Sequence, residues 1–161
     1  ENGATTGLHP SYNTKNIEQE HSYLSNIGFY DALSRFHFIK FTLPTSYKEL
    51  IHAGIEEDFS MGYPQVSGFR AGICQSFNWF DVEANQQTNL RVTPFYFMDS
   101  SYIFHQKMQV NEAIADAFAL IDVVKYYQGQ LCFVVHNESP SGQGVYAGWQ
   151  HFYKDIIQLA V

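Results

Sequence analysis

Several titratable side chains in this sequence stand where short apolar segments end. His136 directly follows the apolar run 131–135, and His9 comes after Gly7-Leu8 and before a proline. An imidazole titrates near neutral pH, so it serves as a general acid, a general base or a metal ligand. His136 therefore indicates acid–base chemistry, whereas His9 taken alone is more simply interpreted as a turn residue.

A second pair of chemically active side chains lies in the glycine-rich stretch 57–72. Asp58 and Arg70 stand near its two ends, and the glycines and the proline between them set the local backbone geometry. A carboxylate and a guanidinium placed in this way bind each other or a polar ligand. On this stretch alone, a loop held by one salt bridge is the simpler interpretation.

The segment from Arg35 to Phe41 alternates in side-chain type, which predicts a strand with Arg35 and His37 on one face. His37 is then either a functional ligand or a core histidine bonded to a carbonyl. Aromatic residues make up 17% of the chain. Rings such as those of Tyr63 and Trp79 are able to stack on sugar faces, although a core role fits each of them equally well.

The elements that must position these residues alternate between strands and helices. Caps, apolar spacing and glycine stops predict helices that begin near 14, 46, 111 and 149 and end near 27, 53, 128 and 159. Apolar and alternating runs predict strands near 7–12, 35–41, 90–98 and 131–135, with an irregular segment 73–80 and a loop 81–89.

Alternating strands and helices predict an α/β fold with a parallel sheet or barrel, and with function at the carboxyl ends of the strands. A complete (β/α) barrel needs roughly 200 residues or more. The 161 residues therefore predict a single domain, residues 1–161, that is a partial or distorted (β/α) barrel lacking its first strand or strands. The chain starts at Glu1 without a methionine, so we expect the natural protein to extend upstream.

Composition excludes some classes of partner. The formal net charge is −7 and no basic cluster is present, which argues against nucleic-acid binding. No apolar window reaches the length that a membrane span needs. Cys74 and Cys132 are too few for a disulfide framework or a zinc knuckle. Two thiols slightly favour a reducing, cytoplasmic compartment.

Five segments, in this order, carry a resemblance to a known family: Gly7-Leu8-His9-Pro10-Ser11-Tyr12, Ser34-Arg35-Phe36-His37-Phe38, Asp58-Phe59-Ser60-Met61-Gly62-Tyr63, Gly68-Phe69-Arg70-Ala71-Gly72 and Val134-Val135-His136-Asn137. They resemble the polysaccharide deacetylase family, the carbohydrate esterases with NodB homology, and in particular its bacterial branch with a long C-terminal half. The resemblance covers almost the whole chain. The Gly-Phe-Arg-Ala-Gly segment together with the final His-Asn is its most specific part.

The resemblance implies a distorted (β/α) barrel that holds a divalent metal, often zinc, and removes N-acetyl groups from amino sugars. By the same resemblance, His9 matches the first metal-binding histidine. Arg70 matches the arginine that orients the catalytic base, and His136 matches the late histidine that protonates the departing amine. Asp58 is the remaining catalytic candidate. The candidates for substrate binding are Arg35, Tyr63 and Trp79.

Two departures from the family pattern bear on activity. The early acidic pair, which supplies the base and a metal ligand, has no counterpart in these residues, and Asn13 stands where the second metal histidine is usual. We therefore assign His37 as the second ligand. A catalytic zinc site needs three protein ligands, so we expect this truncated chain to bind metal weakly and to be inactive. The alternative is a non-catalytic, deacetylase-like module that binds carbohydrate or a protein partner.

A barrel that lacks its first strands exposes a parallel strand edge, and such an edge pairs readily with another chain. We therefore expect a homodimer formed through this edge. Light scattering at increasing protein concentration measures the mass directly, and a monomer throughout would contradict the prediction.

Overall fold

A computed structural model describes residues 5–14, 16–28 and 31–160. Its contacts divide the chain into two compact units. Unit 1 comprises Glu1–Met61 and Ser76–Thr93, and unit 2 comprises Gly62–Gln75 and Pro94–Val161. The single domain 1–161 stays a prediction.

Unit 1 contains one four-stranded mixed sheet. Its elements are helix α1 (Ile17–Asn26), strand β1 (Leu33–Ser34), a 3-10 turn (His37–Ile39), helix α2 (Thr45–His52), strand β2 (Glu57–Asp58), strand β3 (Phe77–Asp81) and strand β4 (Gln86–Val92). The strand order is β1-β2-β4-β3. The β1–β2 and β2–β4 pairs are parallel, whereas β3 and β4 form an antiparallel hairpin.

A row of aromatic rings runs through the core of unit 1. The rings of Phe36 and Phe41 stack with centroids 5.8 Å apart, Phe41 stacks on Tyr47 at 5.6 Å, and Trp79 meets Tyr47 edge-on at 5.5 Å. Tyr47 lies on the apolar face of α2 with Leu50, and both side chains are fully buried. This row of rings joins α2 to the hairpin and to the turn after β1, because each ring packs against the next.

Unit 2 is mainly helical. Its elements are a π-helical segment (Ser101–Gln106), helix α3 (Val110–Tyr126), two 3-10 turns (Ser139–Ser141 and Gly144–Tyr146) and helix α4 (Trp149–Ala160). Phe97 lies at the centre of the core, stacked on Phe133 with centroids 5.1 Å apart and edge-on to Phe152 of α4 at 6.2 Å. The buried face of α3 covers this cluster with Ala113, Ala117, Ile121 and Val124.

The predicted strand 35–41 is wrong. β1 ends at Ser34, and the chain then makes a 3-10 turn in which Phe38 and Ile39 both have positive φ, +52° and +55°. Phe36 and Ile39 are buried and Phe38 is exposed, which is the three-residue spacing of a helical turn. The alternation of residue types over these few residues does not distinguish a strand from a single helical turn, so the prediction failed here.

The strand predictions for the rest of the sheet also change. Residues 77–92, expected to be mostly irregular or loop, form the β3–β4 hairpin, whose solvated outer face is polar apart from the exposed Phe80. β4 ends at Val92, since Pro94 has no N–H group to continue a ladder. In unit 2 the predicted strand 131–135 is only a parallel bridge between Val134 and Met98.

The four predicted helices are confirmed, with α1 beginning at Ile17, later than expected. The α/β class is confirmed as a mixed sheet with helices, but the residues that the structure describes show no barrel. Across those same residues, no helix is long and apolar enough to cross a bilayer.

A close approach in unit 2 requires glycine at position 62. A Cβ atom there would lie 2.4 Å from carbon atoms of the fully buried Phe95 ring. Gly62→Ala should lower the free energy of unfolding by about 1–3 kcal/mol, because overpacking forces the ring or the backbone to move. Urea denaturation measures this change.

The matched test for the same contact is Phe95→Leu, which replaces the ring that Gly62 faces. If the contact limits stability, the double variant should lose less free energy of unfolding than the sum of the two single variants. Strict additivity would show that the strain lies elsewhere.

Candidate functional site

In unit 2, two backbone segments paired through Met98 and Val134 place an aspartate beside a histidine. Asp99 follows one segment and His136 follows the other. The Asp99 side chain is fully buried, whereas the His136 side chain is 45% exposed. The Nδ1 atom of His136 lies 2.6 Å from Oδ1 of Asp99. A buried carboxylate thus holds a histidine that is accessible to solvent.

Further donors hold the Asp99 carboxylate in place. The backbone N–H of Ser100 donates to Oδ1 at 2.6 Å, and the backbone N–H of His136 donates to Oδ2 at 2.7 Å. The hydroxyl of Ser139 also donates to Oδ2. An ionised carboxylate only accepts hydrogen bonds, so the His136 Nδ1 atom carries a proton. Proton exchange through this ring would therefore involve Nε2.

In unit 1 the structure brings His9 and His37 together. Their rings stack with centroids 4.6 Å apart and planes inclined by 22°. The Nδ1 atom of His9 lies 2.7 Å from the carbonyl oxygen of Arg35, and the backbone N–H of Arg35 donates to the carbonyl oxygen of Leu8 at 3.0 Å. The parallel bridge between Leu8 and Ser34 carries both histidines to the same end of the sheet.

Only His9 has an orientation typical of a metal ligand, because the stacked rings of His9 and His37 do not share a plane in which both could bind one ion. A carbonyl oxygen only accepts, so the Nδ1 atom of His9 donates in this bond. Metal-binding histidines are usually oriented by a bond of this kind. However, the described part of the chain contains no group of three or more histidine, cysteine, aspartate or glutamate side chains able to hold a metal ion. The sequence supplies two candidate ligands, His9 and His37, where a catalytic zinc site needs three.

Asp58 is a fully buried carboxylate in unit 1. Oδ1 accepts from the hydroxyls of Ser34 at 2.9 Å and Ser60 at 2.8 Å, and Oδ2 accepts from the backbone N–H of Ser60 at 2.9 Å. The Ser60 hydroxyl also accepts from the N–H of Phe36 at 2.9 Å. Asp58 therefore fixes the segment that leads into His37, and burial raises the pKa of its carboxyl group.

The remaining predicted site residues differ in accessibility. Arg70 donates from Nη1 to the carbonyl of Gly62 at 3.0 Å, which closes the loop that carries Tyr63. Tyr63 is 41% exposed, whereas Trp79 is 9% exposed and packs in the core of unit 1. Arg35 donates from Nε to the carbonyl of Phe59 at 3.2 Å.

The structure therefore joins His9, His37 and Arg35 within unit 1, while His136, Arg70 and Tyr63 belong to unit 2. Sequence reasoning assigned no role to Asp99. One signal was present, because Asp99 ends the apolar run 94–98 just as His136 ends 131–135. Two apolar runs that each end in a polar residue place those residues together when the runs are neighbours.

No family model, curated protein or solved structure matches this chain.

The buried carboxyl group of Asp58 predicts a pH dependence of stability. Its pKa is raised above 3.8 in the folded protein, mainly because burial disfavours the charged form, although hydrogen bonds from Ser60 and Ser34 oppose the shift. The stability that Asp58 contributes is therefore fully present below pH 3.8, the ordinary pKa of the group. It is lost as pH rises through the raised pKa of the folded protein.

Asp58→Asn removes this titration and adds only an offset that does not depend on pH. The free energy of unfolding of the wild type minus that of the variant should fall by about 1.4 kcal/mol per pH unit inside that window and then level off. Urea denaturation of both proteins over the acidic and neutral range tests it. A difference that does not change with pH would contradict the raised pKa.

Proposed function

We propose that this chain is the C-terminal part of a metal-dependent hydrolase that removes N-acetyl groups from an amino-sugar-containing polysaccharide or a related amide. The single observation that carries the proposal is the hydrogen bond between the accessible imidazole of His136 and the buried carboxylate of Asp99. The motifs that resemble the polysaccharide deacetylases add the substrate class.

Breaking an amide C–N bond requires a proton on the departing nitrogen, since an amide anion is a very poor leaving group. His136 supplies this proton from Nε2 while its Nδ1–H remains bonded to Asp99. The buried carboxylate keeps the ring in one orientation and stabilises the imidazolium before transfer. Ser139 and Ser100 hold that carboxylate, so they act on the chemistry through Asp99.

By the resemblance, His9 and His37 would hold the metal, with zinc as the first choice, once their rings turn out of the stacked arrangement. When bound, such an ion polarises the amide carbonyl and lowers the pKa of its bound water. The Arg35 carbonyl orients His9, and the network of Asp58 and Ser60 anchors the backbone just before His37. Asp58 thus serves as a positioning residue, because its full burial keeps it from substrate.

Other parts of the proposal rest on the resemblance. By that resemblance Arg70 is the candidate that orients the base, and Arg35 and Tyr63 are candidates for contact with substrate. Trp79 supports the core of unit 1 through Tyr47. The parallel pairs β1–β2 and β2–β4 are compatible with part of a (β/α) barrel.

A second candidate function is a non-catalytic module that binds carbohydrate or a protein partner. One observation favours it, since the described residues offer only His9 and His37 where three ligands are needed. Activity of the natural full-length protein decides between the two candidates.

His136→Ala in the natural full-length protein should lower kcat for acetate release from an N-acetylglucosamine oligomer by about 100-fold to 10,000-fold. Asp99→Asn should also lower kcat, because an amide no longer compensates the imidazolium charge. Metal content, measured by plasma mass spectrometry, should stay at the wild-type value in both variants. Acetate release is followed by a coupled assay.

His151→Ala is the matched control, since His151 is an exposed histidine of α4 in the same unit. It should keep wild-type kcat and metal content. Turnover that persists in His136→Ala would rule out His136 as the acid. A wild-type protein that binds the oligomer but releases no acetate would establish the non-catalytic module.

A further inference from the structure

An exposed aromatic side chain in unit 1 sits on an unfavourable backbone conformation. Phe38 has φ +52° and the next residue, Ile39, has φ +55°. Residues other than glycine rarely adopt this left-handed region of φ and ψ. Strained residues of this kind cluster at binding and catalytic sites. The strain does not serve to bury the ring, because the Phe38 side chain is 71% exposed.

Phe38 belongs to a cluster of four rings. It lies 4.5 Å from the His37 ring and meets the ring of Tyr12 edge-on at 5.5 Å. His9 stacks on the other side of the group, against His37. We call His9, Tyr12, His37 and Phe38 the ring platform. Tyr12 is 52% exposed, so this platform faces solvent and is not part of the core.

Polar groups surround the ring platform. The ammonium of Lys40 lies 4.3 Å from the centre of the Tyr12 ring, a cation–π contact that holds this ring in place. His9 also lines a hollow of about 560 Å³ whose wall includes Ser11, Gln19, Glu20 and Tyr23. Ring faces beside hydroxyl, amide and charged groups suit a ligand that has both C–H faces and hydroxyls.

We propose that the ring platform is a sugar-binding surface, on which one pyranose ring of a β-linked polysaccharide stacks while a neighbouring sugar lies in the hollow beside His9. This inference rests on the proposed function and deepens it. A pyranose presents an apolar C–H face to an aromatic ring and hydroxyls to the polar rim, which matches the surroundings of Phe38 and Tyr12. The two candidate metal ligands belong to the platform, so binding here places sugar beside them.

The position of Phe38 allows a test in which binding and stability separate. Phe38→Gly removes the ring and also relieves the positive φ, so it should not lower the unfolding temperature. Its affinity for a tetramer of β-1,4-linked N-acetylglucosamine should fall about fivefold to tenfold, the value of one aromatic contact. Isothermal titration calorimetry on the natural full-length protein measures the affinity.

Asn85→Gly is the matched control. Asn85 is an exposed residue of unit 1 with φ +49°, in the turn between β3 and β4. It should likewise not lower the unfolding temperature, and it should keep wild-type affinity for the tetramer. Tyr12→Ala should weaken binding as Phe38→Gly does.

Wild-type affinity in Phe38→Gly, or no binding of the tetramer by the wild-type protein, would overturn the sugar-binding surface. Failure of the proposed function has a different signature. If the wild-type protein releases no acetate while Phe38→Gly still weakens binding, the surface stands and the hydrolase fails. If acetate release depends on His136 but Phe38→Gly binds normally, the hydrolase stands and the surface fails.

Discussion

A carboxylate that is removed from water must receive hydrogen bonds from the chain around it, and this constraint acts in both units. Asp58 and Asp99 are fully buried. An unsatisfied buried charge would cost several kcal/mol, more than most single contacts contribute. The chain meets this cost by turning serine hydroxyls and backbone N–H groups toward each carboxylate. Each network fixes the backbone near a histidine, at His37 in unit 1 and at His136 in unit 2.

The two networks act on their histidines in different ways. Asp99 touches the imidazole of His136 itself, and this ring is partly exposed to solvent. Asp58 acts on His37 only through Ser60 and the backbone of Phe36. One carboxylate therefore contacts its histidine directly, and the other acts on its histidine through the backbone. The exposed ring platform lies close to the Asp58 network, because the anchored Phe36 is two residues before the strained Phe38.

Helices could be predicted from the sequence because their signals are local. The apolar spacing of α3 and the proline before α2 lie within the segments that fold, and the α2, α3 and α4 boundaries were found to within one or two residues. The strands were harder, since β1 and β2 contain two residues each. A strand of two residues is defined by the strands that pair with it, and a short window of sequence does not show which strands those are. The hairpin was missed because its outer face is mostly polar, as a solvated sheet face should be.

The sequence by itself determined which side chains are available for chemistry, where the helices lie, and that His136 ends an apolar segment. Only the tertiary structure decided which of these side chains meet. The pairing of His136 with Asp99 spans 37 residues, and the bond between His9 and the carbonyl of Arg35 spans 26. Contacts at such separations depend on how strands are ordered in space, which local propensity does not encode. The left-handed conformation of Phe38 has the same origin, because packing of Phe36 and Ile39 outweighs the backbone preference of the residue between them.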